Sequence, residues 1–163
     1  MADSTRSVPW WVLALVILAS PLILAVVVLL LAARLVAGAL IHVAVWLWWW
    51  PQGRDVLFVY SDSPVWSDYI NLNILPNIRQ RAVLLNWSER ARWQTGLAWA
   101  VFRYYGGRKE FCPLAVVFRP FGQVFRFWQP FRDWKHGRGS LLEQTQAEFF
   151  RAIELQSPKR NSG

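Results

Sequence analysis

Asp55-Val56-Leu57-Phe58-Val59-Tyr60 runs directly into Ser61-Asp62-Ser63-Pro64-Val65-Trp66, and the change of pattern between these two hexapeptides decides the fold class. The first is an apolar run of strand length, rich in β-branched and aromatic residues, as expected of a strand covered on both faces. The second carries turn formers, and Pro64 stands where a helix can begin, because the first helical turn has no use for the missing N–H. Beyond it Ile70, Ile74 and Ile78 recur every four residues, which is one face of a helix that Pro76 kinks or ends. A buried strand leading straight into a helix predicts an α/β domain.

Working towards the C-terminus, Arg81 to Trp87 (RAVLLNW) is a second strand of the buried type. Glu89 to Tyr105 then places Trp93, Leu97, Val101 and Tyr104 at helical spacing before Gly106-Gly107 stops the helix. Pro113 to Arg119 (PLAVVFR) is a third strand, Pro120-Phe121-Gly122 a turn, and Gln123 to Trp128 (QVFRFW) a fourth strand. A basic, glycine-containing loop is expected from Pro130 to Ser140. An amphipathic helix follows from Leu141 to Leu155, with Leu142, Phe149, Phe150 and Ile153 on its apolar side. In the order β-α-β-α-β-β-α, the first two strands are joined through a helix and so are parallel, and the last two are joined by a tight turn and so are antiparallel. The expectation is one domain, residues 55–156, built on a mixed four-stranded sheet, with a disordered tail at 157–163.

Towards the N-terminus, residues 51–54 read as a linker opened by Pro51-Gln52-Gly53. Residues 10–50 read as a membrane region behind a tail, 1–9. Trp11 to Ala33 holds 23 residues without a charge, where a bilayer core needs about 20 in helix. The run is too long for the apolar part of a cleaved signal peptide. After Arg34 comes LVAGALIHVAVWLWWW, 16 further residues that suit a short second span, the continuation of one tilted helix, or a helix lying in the interface. Trp10 and Trp11 at one end, and Trp46, Trp48, Trp49 and Trp50 at the other, mark the two head-group levels. Arg34, Arg54 and the basic domain outweigh Arg6, which places the C-terminal domain on the cytoplasmic side. His42, alone in its apolar run, reads as a residue tolerated near an interface rather than as a ligand or relay group.

The formal net charge is +8, and setting aside Asp3, Arg6 and Arg34 leaves 16 basic and 9 acidic residues after Trp50, a net +7. Such a surface favours anionic lipid head groups, nucleic acid or an acidic protein. Between Arg79 and Arg138 there are 12 basic and 3 acidic residues, interleaved with aromatic ones. That mixture suits single-stranded nucleic acid or an anionic bilayer, and the short tether selects the bilayer. Phe127 to Arg138 (FWQPFRDWKHGR) is the strongest candidate contact, through Trp128, Phe131, Arg132, Trp134, Lys135 and Arg138. Its plainer reading is a partly buried aromatic cluster. A single cysteine, Cys112, excludes an intramolecular disulfide and fits a reducing compartment. P-loop, zinc-ligand and GxSxG spacings are absent, so neither metal nor cofactor is expected. Asn86-Trp87-Ser88 matches a glycosylation sequon by chance if the domain is cytoplasmic.

Three local motifs resemble the thioredoxin-like superfamily across about Asp55 to Leu155. Val59 to Trp66 is similar to the first strand and redox loop of glutaredoxin-type members, where a C-P-x-C motif opens the first helix. Cys112-Pro113-Leu114-Ala115-Val116-Val117-Phe118 is similar to the family's third strand, which starts at a cis-proline facing that loop, and Arg119 to Val124 to its hairpin turn. The resemblance places Ser63 and Trp66 at the two cysteine positions, with Pro64 and Val65 between them. A serine hydroxyl has neither the pKa nor the redox chemistry of a thiolate, so dithiol exchange through this loop is excluded and no catalytic residue is assigned. What the resemblance leaves is a binding platform at Cys112 and Pro113. The expected function is therefore a membrane-anchored, catalytically degenerate domain that binds a protein partner or the bilayer. The alternatives are a thiol- or glutathione-dependent enzyme relying on Cys112, and an accessory subunit of a membrane complex.

Overall fold

The apolar run that opened the reading is the centre of the sheet. In a computed structural model, which describes residues 9–93, 95–106, 112–118 and 122–154, β1 (Val56–Tyr60) pairs in parallel with β2 (Ala82–Asn86) and antiparallel with β3 (Leu114–Val117), and β3 pairs antiparallel with β4 (Gln123–Arg126). The strand order is β2-β1-β3-β4, a mixed four-stranded sheet. Register follows side-chain alternation. Val56 and Phe58 join Ala115 and Val117 on one face, and Leu57 and Val59 join Leu114 and Val116 on the other. All eight are fully buried, as an unbroken apolar strand requires.

The first face is covered by α2 (Ser67–Tyr69), a π-type turn (Ile70–Ile74), α3 (Leu75–Ile78), α5 (Trp128–Lys135) and α6 (Ser140–Glu154). They contribute Ile70, Ile74, Ile78, Phe131, Leu142, Phe149 and Ile153 to its core. Pro76 offers no N–H to the preceding turn, and the π-type turn just before it is where the helix absorbs that loss. The second face is covered by α4 (Leu97–Gly106), through Val101 and Phe102, and by the end of the long helix α1 (Trp10–Trp48), through Val45, with Trp49 immediately after it.

The chain divides into two compact units at Ala39 and Leu40. In the first, α1 runs on through Pro21, and its apolar side chains from Leu22 to Val36 stand 44–72% exposed. Ala19–Gln52 is long and apolar enough to cross a membrane by length and composition. Of the arrangements open for the run after Arg34, a single continuous helix is the one found. Its 39 residues are more than the roughly 20 that an apolar bilayer core requires.

The second unit begins at Leu40, inside the helix, and two of its elements differ from the sequence reading. Residues 51–54 form a short turn. The carbonyl of Trp49 accepts from the backbone N–H groups of Gln52 and Arg54, both at 3.0 Å, and Gly53 closes the turn at φ 70, a left-handed conformation that favours glycine. The expected helix from Glu89 is a 3-10 helix, Trp87–Arg92, separated from α4 by Gly96 at φ 88. The expected loop from Pro130 is helical. α5 starts at Trp128, so β4 ends earlier than expected, at Arg126, and Pro130 is tolerated in the first turn, where its N–H is not needed. Pro120 and Phe121 of the expected turn, the tail at 157–163 and most of the N-terminal tail lie outside the described residues.

Candidate functional site

β1 delivers its C-terminal end to the loop Ser61 to Trp66, and β3 begins beside that loop. Ser63 organises the helix start. Its carbonyl accepts from the N–H of Trp66 at 3.2 Å and of Ser67 at 2.9 Å, and its hydroxyl accepts from the N–H of Val65 at 3.5 Å. A serine at such a position serves the backbone. Pro64 is exposed and Val65 half-buried. Trp66 turns inward, its indole N–H donating to the Ser61 hydroxyl at 3.2 Å and its ring lying 5.9 Å from that of Phe131.

Cys112 meets this loop through Ser61, with which its side chain hydrogen-bonds. Burial is the larger influence and pushes its thiol from 9.0 up to about 11, the Ser61 bond pulling the other way. The peptide bond from Cys112 to Pro113 is cis, and the Pro113 carbonyl accepts from the N–H of Phe127 at 3.0 Å, tying the start of β3 to the end of β4. The phenols of Tyr60, Tyr69 and Tyr105 are also raised, each chiefly by burial. None of these four groups ionises near neutral pH.

The loop and the cis-proline are therefore brought together, with Ser61, not Ser63, as the hinge between them. Ser61 was missed as a site residue in the sequence because its role depends on Trp66 and Cys112 converging from distant positions. Asp62 joins the loop to β2. Its carboxylate accepts from the Asn86 side chain at 2.8 Å, and its N–H donates to the Ser88 hydroxyl at 3.1 Å. Asn86 also accepts from the N–H of Ser88 at 3.0 Å. The sequon residues are thus occupied in joining β2 to the loop.

The aromatic and basic segment sorts by burial. Phe131 is not a surface contact. It is fully buried, 5.5 Å from the Tyr69 ring and 6.3 Å from Phe127, because helix formation turns every fourth side chain inward. Trp128 is half-buried with Arg132 above its ring at 5.4 Å, and Trp134 is 39% exposed, packed on Tyr69 at 5.5 Å. Arg132, Lys135 and Arg138 are exposed, Arg138 being paired with Asp133 at 3.0 Å. Through Phe131 and Trp66, whose rings lie 5.9 Å apart, this helix packs against the loop in the core. Elsewhere, Arg90 over Trp87 and Arg103 over Trp99 cover half-buried rings of the second core. Much of the interleaved aromatic content is thus core, and the arginines lie over its rim.

No protein-family model, curated protein or solved structure matches the chain. Function therefore rests on the geometry. Among the described residues, no group of His, Cys, Asp and Glu could hold a metal ion. The arrangement places hydroxyl, indole and backbone groups around a half-buried, protonated thiol.

Proposed function

We propose that the chain is a membrane-anchored domain of thioredoxin-like build whose redox loop has no cysteines. In this reading the face formed by Ser61 to Trp66 and Pro113 binds an extended segment of a protein partner at the membrane surface, without thiol chemistry. The observation that carries the reading is the chemistry of the loop. Ser63 and Trp66 stand where a thiol pair would be required, and the single thiol beside them has a pKa of about 11. The strand order, the parallel and antiparallel pairings and the cis bond before Pro113 support the fold assignment. The apolar face of α1 supports the anchor, the count of nearby arginines supports a cytoplasmic domain, and Arg132, Lys135 and Arg138 on α5 supply the charge that holds the surface near anionic head groups. The same half-buried thiol, with its pKa raised to about 11, weighs against an enzyme that relies on Cys112.

Site-specific photo-crosslinking of the full chain in its own membrane tests this. A photoreactive residue at Pro64 is expected to capture one discrete partner, whereas the same residue at Gln144, exposed on α6, captures none, and Cys112→Ala leaves the Pro64 product unchanged. Loss of that product in Cys112→Ala, or equal capture from both positions, would sink the proposal.

A further inference from the structure

At the end of α1 two openings lie side by side. One is a small recess of about 20 Å³, room for one water-sized group, walled by His42, Trp46, Trp50, Arg54, Asp55 and Phe118. The other is an apolar trough of about 410 Å³, formed by Trp46, Leu47, Trp50 and Pro51. They share Trp46 and Trp50, whose rings meet edge to face at 6.5 Å.

We propose that this pair of openings seats one glycerophospholipid with an anionic head group. Its phosphodiester caps the mouth of the recess against the exposed Arg54, with one oxygen pointing inward, and the first part of an acyl chain lies along the trough. The inference rests on reading α1 as a membrane span. Charge selects the ligand. Asp55 lines the recess but is held at two points by Arg81, Nε to Oδ1 at 3.1 Å and a terminal nitrogen to Oδ2 at 2.5 Å, which offsets its charge. Arg54 is exposed and has no ion pair among the described residues. The recess thus presents one net positive charge, the match for one phosphodiester, and a guanidinium binds phosphate oxygens through a planar fork of donors. His42, with its ring 5.9 Å from that of Phe118, adds an imidazole at the wall. The recess has room for one water-sized group, so it takes a single phosphate oxygen and leaves the rest of the head group outside. Polarity reverses within one side-chain length, from Arg54 to the Trp46, Leu47 and Pro51 trough. Tryptophan prefers the level of the membrane at which a glycerol backbone sits between phosphate and acyl chain.

The test uses the full chain reconstituted in an equal mixture of phosphatidylglycerol and phosphatidylcholine, gently extracted, with retained lipid measured by mass spectrometry. One phosphatidylglycerol per chain is expected, enriched roughly tenfold over phosphatidylcholine, as one well-placed charged contact provides. Arg54→Ala should remove that enrichment, and so should Leu47→Ser, at a side chain 61% exposed that the fold does not need. Arg151→Ala, exposed on α6, should keep it, and excess inorganic phosphate should not displace the lipid. Circular dichroism checks that each variant is folded. Full retention in Arg54→Ala, or equal loss in Arg151→Ala, would overturn the site in favour of bulk charge attraction. Displacement by inorganic phosphate would show an anion site with no lipid preference. Alkaline extraction separates the two levels of the argument: a chain washed off the membrane contradicts the span, and one that stays embedded without retained lipid contradicts only the site.

Discussion

Trp48 and Trp49 are neighbours in one tryptophan belt, yet they should behave very differently on substitution. Trp48 is 70% exposed, and Trp49 is 5% exposed, packed edge to face on Phe118 at 5.9 Å within the core that includes Leu57, Val59 and Val116. Removing a buried Trp or Phe side chain costs about 3 to 5 kcal/mol, whereas an exposed substitution usually stays within about 0.5 kcal/mol. A domain of this size has roughly 5 to 15 kcal/mol in all. Trp49→Ala should therefore lower the thermal midpoint by about 10 °C or more, at roughly 3 to 4 °C per kcal/mol for a unit of this size, and Trp48→Ala by at most a few degrees. The assay is thermal unfolding of the full chain in a mild detergent, followed by near-ultraviolet circular dichroism. Equal, small shifts for both variants would refute the claim that the end of α1 is part of the domain core.

Three further outcomes follow from single contacts. Arg81→Met leaves the 4%-exposed carboxylate of Asp55 without its bidentate partner. It should cost about 3 to 5 kcal/mol in chemical denaturation, with partial recovery when Asp55 is also made apolar. Ser61→Ala removes the acceptor for the Trp66 indole and the bond that lowers the Cys112 pKa. It should cost about 1 kcal/mol and move the alkylation profile of Cys112 to still higher pH. Gly122→Ala would place a Cβ 2.6–2.9 Å from the Tyr105 ring and hydroxyl. It should destabilise by about 1 to 3 kcal/mol, read as a lower unfolding midpoint.

The sheet was legible because its signals are local. An unbroken apolar run such as Val56 to Tyr60 can satisfy its side chains only by burial on both faces, and the link between two strands sets their direction. The end of α1 was not legible. Trp49 has the same composition cue as Trp46, Trp48 and Trp50, and only the rotation of the helix against the sheet selects it for the core. α5 was hidden by Pro130 and by the glycines that follow, which suggested a loop, whereas a proline in a first turn is compatible with helix. At the site, the pairing of the loop with Pro113 followed from the order of motifs. The role of Ser61 did not, because it depends on three segments meeting. Phe131 and Arg132 are adjacent in sequence and opposite in burial, a difference that composition does not contain.

A loop face that binds without thiol chemistry requires an unreactive Cys112, which the rate of its alkylation against pH measures. Burial raises the thiol from 9.0 to about 11, so at neutral pH the thiolate fraction is roughly a hundredfold below that of an unperturbed cysteine. The sign also fixes the linkage. The folded state favours the neutral thiol, a contribution fully present below about pH 9 and lost as pH rises through 11. The account predicts alkylation of the folded full chain about a hundredfold slower than a free thiol at pH 7.5, rising through pH 10 to 11. Alkylation at pH 7.5 as fast as the free thiol or faster, with a midpoint below pH 8, would contradict it.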